Sequence, residues 1–139
     1  MNSINIIIDG HPVAMPRPRF SKTGRTYYPK QVHTHKENII AAIKKSIAAH
    51  GWQKLANRVP VSVTMQFVHP RIKRNKSEQR EYKTTRPDVD NIAKMYLDCC
   101  TKAEIWHDDS QVVFLQLSDH YAGVYEQAHT TIIIKEIEQ

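Results

Sequence analysis

Val59, Val61, Val63, Met65 and Phe67 alternate with Pro60, Ser62, Thr64 and Gln66. A repeat of two puts an apolar row and a mostly polar row on opposite faces of a strand, so the chain must build a sheet with one face covered. Ile4, Ile6 and Ile8 alternate with Asn5, Ile7 and Asp9 and predict an earlier strand ending at Gly10. Val112 to Leu117 predict a third strand, and about Ala128 to Ile137 a fourth. Between the first two strands, Ile39, Ile40, Ile43 and Ile47 recur at helical spacing up to His50-Gly51. Thr34-His35-Lys36-Glu37 has the spacing of a capping box and predicts where that helix begins. A second helix opens at Pro87-Asp88 and runs to about Cys100, with Ile92, Ala93, Tyr96, Leu97 and Cys100 inward. The order is β-α-β-α-β-β, an α+β fold with two helices packed on a small mixed sheet. At 139 residues this is one domain spanning 1–139, large enough to bury a core without disulfide or metal staples. Strand order is not readable from periodicity. On the third strand, Val112 and Phe114 would face opposite to Val113, Leu115 and Leu117, and Phe114 suits either a subunit interface or core packing.

The charge distribution narrows the partners. Net charge is +6; residues 10–36 carry six Lys/Arg and no Asp or Glu, and residues 69–87 carry seven against two Glu. These segments hold thirteen of the twenty basic residues, outside the periodic elements for most of their length. The first includes a long loop, residues 10–32, punctuated by Pro12, Pro16, Pro18, Gly24 and Pro29. Arg17, Arg19, Lys22 and Arg25, with Arg71, Lys73, Arg74 and Lys76, suit a polyanion-binding surface; solvated basic loops suit the charge alone equally well. Phe20, Tyr27 and Tyr28 lie in the first segment, where packing against their own domain is favoured over stacking on bases. Cys99 and Cys100 are adjacent and have no other cysteine to partner, so both are expected reduced. No signal-peptide pattern is present and the apolar runs are too short to span a membrane, so a cytoplasmic protein without membrane contact is expected.

Against that basic background, Arg86-Pro87-Asp88-Val89-Asp90-Asn91-Ile92-Ala93-Lys94 and Trp106-His107-Asp108-Asp109 concentrate carboxylates. Each has a structural explanation. Asp88 is a favoured N-cap and Asp90 suits the positive end of the helix dipole. Asp90, Lys94 and Asp98 lie four apart and suit surface ion pairs, and Asp108-Asp109-Ser110 suits a turn. The combination suits phosphodiester hydrolysis, which needs a hard cation on oxygen ligands beside the phosphate. Carboxylates grouped without a cation repel one another. Lys94, one turn past Asp90, would then stabilise the charged transition state.

These elements resemble the RusA family of Holliday-junction resolvases over most of the chain. Pro16-Arg17-Pro18-Arg19 with Gly24-Arg25-Thr26-Tyr27-Tyr28-Pro29 looks like the family's basic N-terminal loop. Pro87 to Lys94, followed by Leu97-Asp98, resembles its D-x-D-N-x-x-K helix, and Trp106 to Val113 its W-x-D-D-x-Q-V element. The sequence departs from the pattern at Thr101 to Ile105, where many relatives carry a glycine before the aromatic residue. The resemblance implies a homodimer, encoded by a bacterium or phage, that resolves four-way DNA junctions in recombination and repair by paired symmetric nicks. It implies Mg²⁺ as cofactor, with Mn²⁺ able to substitute, and no small-molecule cofactor. Carried onto matching positions, the essential carboxylates are Asp88, Asp90 and Asp109, with Asp108 beside Asp109 as a fourth metal ligand, and the functional lysine is Lys94. Water attacking in line would expel the 3′ oxygen and leave a 5′ phosphate. Two readings stay open beside this one: a nuclease of the same chemistry acting on flaps or forks, and a branched-DNA-binding accessory protein that does not cut.

Overall fold

The structure, a computed structural model, describes residues 2–139. In chain order its elements are β1 (Ser3–Asp9), β2 (Arg19–Phe20), β3 (Thr26–Tyr27), α1 (Lys30–His50), β4 (Val61–His69), β5 (Glu81–Tyr82), α2 (Val89–Lys102), a 3-10 turn (Asp109–Gln111), β6 (Val112–Tyr121) and β7 (His129–Glu136). The main sheet has the order β1-β7-β4-β6-β5, and β2 and β3 form a separate hairpin. All its neighbours are antiparallel except β4 and β6, which are parallel. A parallel pair needs a crossover, and α2 supplies it by running back against the direction of both strands. Its start therefore lies by the end of β6, and its end by the start of β6. The result is the expected α+β architecture, with two helices on a mixed five-stranded sheet.

Register turns the alternation into a core. Ile4 and Ile6 pair with Ile134 and Ile132, which pair in turn with Val63 and Met65, and these pair with Leu115 and Leu117. Apart from Leu115, which stays exposed at the sheet edge, that layer is covered by Val32, Ile39 and Ile43 of α1 and by Ile92, Ala93, Met95, Tyr96, Cys99 and Cys100 of α2. Each larger aliphatic side chain buried there stabilises by roughly 1.5–3 kcal/mol relative to exposure. The Phe67 and Tyr96 rings meet with centroids 5.4 Å apart. Cys99 and Cys100 are free and buried; burial, with the Asp98 charge adding to it, pushes the Cys99 thiol up to about 12. Neither thiol is a reactive thiolate at neutral pH.

Several boundaries differ from expectation, and β4 starts at Val61 rather than Val59. α1 starts at Lys30, not after Thr34, because Pro29 enters it from extended backbone and Val32 adds a buried anchor ahead of the isoleucines. Thr34 and Glu37 are thus exposed interior positions and form no capping box. Within residues 10–32 the chain forms the short β2–β3 hairpin, with Gly24 at its turn. β6 extends four residues beyond Leu117, because β4 continues to His69 beside it.

A bulge marks the start of β6: Val61 pairs with Val112 and the next pair is Ser62 with Phe114, leaving Val113 extra. Phe114 faces away from Leu115 and Leu117 as expected, but the bulge returns Val112, paired with buried Val61, to the core face and not to the face of Phe114. Val113, Phe114 and Leu115 are nonetheless 56%, 68% and 43% exposed. On the outer side β5 pairs only with His120 and Tyr121, so among the described residues the edge from Val112 to Ser118 is uncovered.

Candidate active site

Asp88 holds the N-cap position of α2 with extended backbone, and its carbonyl accepts the N–H groups of Asn91 at 3.1 Å and Ile92 at 3.2 Å. Its carboxylate makes no capping hydrogen bond and is exposed. Asp90 sits in the first turn, also exposed. Lys94 forms no ion pair with Asp90; its ammonium donates to Asn91 Oδ1 at a long 3.4 Å. The ion-pair explanation belongs to Asp98 alone, which takes Lys36 at 2.6 Å and Lys102 at 3.5 Å and ties α1 to α2. Burial pushes the Asp98 carboxyl up, but the two ammonium groups outweigh it and hold the group below the ordinary range.

The second carboxylate element is built by its neighbours. Trp106 is fully buried and donates Nε1–H to Thr101 Oγ1 at 2.8 Å. Gln111, 5% exposed, accepts the His107 and Asp108 N–H groups and donates to the Ala56 and Val59 carbonyls. Asp108 caps the 3-10 turn by accepting the Ser110 N–H, and hydrogen bonds from Ser110 hold its carboxyl below the usual range. Asp109 follows it in the turn, exposed and uncapped. The W and Q of the W-x-D-D-x-Q element therefore hold the turn, Asp108 closes it, and Asp109 is presented outward. The departure before the aromatic residue is visible as Glu104 at φ 66°, the left-handed backbone that a glycine adopts freely.

Asp88 and Asp90 are brought together on one helical turn. Asp109 is not brought to them. Asp88 lines a cleft with Leu117, Ser118 and Asp119 near the end of β6, whereas Asp109 leads into its start. At 1.5 Å per residue, α2 separates the two by about 20 Å. Among the described residues, no group of three or more His, Cys, Asp or Glu is placed to hold a metal ion. The pair at α2 still fits a hard divalent cation in kind: two uncapped, solvent-facing carboxylates, the donor type and number that Mg²⁺ commonly takes from a protein.

Both basic segments reach this helix end. Met15 N–H donates to Asn91 C=O at 3.0 Å and Val13 N–H to Tyr96 OH at 3.2 Å, so the chain leading to Arg17, Arg19, Lys22 and Arg25 is moored on α2. Those four side chains are exposed. Phe20 and Tyr27 on the hairpin are 76% and 48% exposed, so packing into the domain is not their role. Tyr28, more covered, lies 5.7 Å beneath the Lys36 ammonium. In the second segment Lys73, Arg74 and Lys76 are exposed, whereas Arg71 donates to the Ser77 and Asn75 carbonyls and shapes its own loop. The segment is fastened by Arg80 to Glu126 and by Gly123, where a Cβ would sit 2.8 Å from the Glu78 carbonyl. His69, Lys83 and Asp119, which the sequence reading missed, form a buried ionisable cluster beside the turn into Asp88. They are far apart in the chain and share no motif.

The family model described as endodeoxyribonuclease RusA matches residues 9–135. The chain is 31% identical over 150 residues to the uncharacterized protein YqaN of Bacillus subtilis strain 168, covering 99% of each chain. It is 40% identical over 58 residues to the crossover junction endodeoxyribonuclease rusA of Lactococcus phage r1t, covering 42% of this chain and 43% of that protein. On the match over residues 9–135, the chain belongs to the RusA endodeoxyribonuclease family.

Proposed function

We propose that the protein is a dimeric, Mg²⁺-dependent endonuclease that nicks four-way DNA junctions symmetrically. The observation that carries this reading is the Asp88 carboxylate, which occupies an N-cap position and leaves the cap unmade. A merely structural aspartate would satisfy the orphan N–H groups there, a contribution of about 1 kcal/mol. Asp88, Asp90 and Asp109 hold Mg²⁺, with Asp108 maintaining the turn that presents Asp109. When bound, the ion supplies Lewis acidity toward water and the phosphate oxygens. Lys94, with no carboxylate partner among the described residues, offsets charge on the phosphate as it is attacked. Arg17, Arg19, Lys22 and Arg25 grip the DNA backbone on one side and Lys73, Arg74 and Lys76 on the other, with Arg71 shaping their loop. Phe20 and Tyr27 stack on bases exposed at the branch point.

The separation of Asp109 from Asp88 and Asp90 supports the dimer. The uncovered edge of β6, with its exposed Val113, Phe114 and Leu115, lies between them. Two copies paired antiparallel along that edge about a two-fold axis bring the start of one β6 beside the end of the other. Asp109 of one protomer then meets Asp88 and Asp90 of its partner, and two identical sites face a substrate of matching symmetry.

Matched oligonucleotides test the substrate: four-way junction, flap, fork and linear duplex, at one salt concentration with Mg²⁺. Paired nicks on the junction at rates well above the other substrates are expected. Faster cutting of flaps or forks overturns the junction assignment, and tight binding without cutting of any substrate overturns the nuclease.

A further inference from the structure

Three ionisable side chains lie buried beside the candidate site and take no part in the chemistry just described. His69 at the end of β4, Asp119 near the end of β6 and Lys83 just after β5 have side chains 10%, 7% and 6% exposed. Asp119 Oδ1 and His69 Nε2 are 2.7 Å apart, and because a carboxylate only accepts, the imidazole donates. Lys83 Nζ lies 3.9 Å from the other Asp119 oxygen. The same ammonium donates to the Thr85 carbonyl at 2.7 Å and the Arg86 carbonyl at 3.1 Å. Lys83 is pinned by its own backbone too, its N–H donating to the Asp119 carbonyl at 2.9 Å. Thr85 Oγ1 and Tyr121 OH, 2.9 Å apart, tie the same turn to β6 from outside. Two residues after Arg86 comes Asp88, whose carboxylate has no cap to hold it.

Burying an ion-paired cluster seldom adds stability over well-packed apolar side chains, so stability alone is a poor reason for this one. What it does is specify geometry. Two of the three ammonium hydrogens hold successive carbonyls of the only covalent link between β5 and α2, and the third direction faces the Asp119 carboxylate. We propose that Lys83, held by Asp119 and His69, is a positioning residue that fixes the 84–88 turn and so aims the Asp88 carboxylate at the metal and the scissile phosphate. This inference rests on the proposed function of Asp88 as a metal ligand. Without Lys83, two carbonyls lose their donor, the turn relaxes, and Asp88 samples directions that do not serve the site.

The test compares wild type, Lys83→Met and Asp119→Asn as full-length protein. Mn²⁺ binding is read by electron paramagnetic resonance without DNA, junction binding in Ca²⁺, and cleavage in Mg²⁺. Hydrogen exchange reports on residues 84–91. For Lys83→Met the expected result is Mn²⁺ affinity lower by about 10–100-fold, the range for removing a group that orients a metal ligand. Cleavage is expected to fall by a similar factor, junction affinity to stay within about twofold, and exchange across 84–91 to speed up. Asp119→Asn is expected to shift the same readouts less, and it decides the matter by the same criteria if Lys83→Met does not fold. Wild-type Mn²⁺ affinity and rate in a folded variant overturn the proposal, as does loss of junction binding in parallel, which would mark a general structural role. If wild type itself neither binds Mn²⁺ nor cuts, the function proposed above fails, and the exchange rates still show whether Lys83 holds the turn.

Discussion

The Asp108 carboxylate closes a capping box with Gln111, whereas Asp109 beside it is exposed and uncapped. Exchanging each separates structure from chemistry. Asp109→Asn is expected to lower junction cleavage by about 10²–10³-fold with little change in melting temperature, the scale of losing one transition-state contact. Asp108→Ala is expected to lower the melting temperature and to reduce cutting by less than Asp109→Asn does. Reversed effects would assign the ligand to Asp108. Glu104 gives a second test, of stability. Its φ of 66° costs a non-glycine residue on the order of 1 kcal/mol, and its exposed 3.5 Å pair with Lys54 returns only a fraction of that. Glu104→Gly should therefore raise the melting temperature by a few degrees without altering cleavage; a lower melting temperature would refute the backbone argument. Single residues were legible in unequal measure. Asp88, Asp90 and Lys94 stand out because their spacing is local, whereas the Asp108–Asp109 division of labour depends on a turn whose capping partner, Gln111, gives no sign of burial in the sequence.

At the scale of elements, the strands with a strict two-residue repeat were the most readable, because one face of each is covered by helices. β4 and β1 appear where Val61 to Phe67 and Ile4 to Ile8 alternate. Thr34-x-x-Glu37 mimics a cap and places the start of α1 five residues late, whereas the helix is entered from Pro29. β2, β3 and β5, two residues each, are too short to carry a period at all. In the basic segment after β4, the Arg80–Glu126 ion pair adds to the close approach at Gly123 in fastening the chain. Hydrogen bonds from Arg80 lead in holding the Glu126 carboxyl down to about 2, against 4.5 for an ordinary glutamate. A carboxyl with a depressed folded-state pKa stabilises the fold above the unfolded value and loses that contribution as pH falls through the folded one. Hydrogen exchange at residues 78–80 should thus be slower in wild type than in Glu126→Gln at pH 6. The difference should shrink below about pH 4.5 and be gone near pH 2. Equal protection at pH 6 would mean the pair does not hold the segment.

For the whole molecule, the question is how one chain with its carboxylates at opposite ends of α2 makes a working site. The sequence could not show this, because motif spacing measures distance along the chain and the crossover that sets the distance in space depends on strand order. If the site is completed across a two-fold dimer, a mixture of Asp88→Asn and Asp109→Asn, each inactive alone, should regain activity after subunit exchange. Each mixed dimer holds one intact site, from the unmutated Asp88 of one chain and the unmutated Asp109 of the other, so single nicks rather than paired ones are expected. No recovery would place all the carboxylates in one protomer's site. Phe114→Asp, on the exposed part of β6, should drive sedimentation toward the monomer and remove cutting with it.

Cleavage of a synthetic mobile four-way junction by wild type and by Asp90→Asn, each with and without Mg²⁺, addresses the central claim most directly. The expected result is paired symmetric nicks by wild type only in Mg²⁺, and none by Asp90→Asn, which still binds the junction. Cutting by Asp90→Asn at the wild-type rate, or tight junction binding by wild type without cutting in Mg²⁺ or Mn²⁺, would contradict it and return the carboxylates to the role of helix caps and turns.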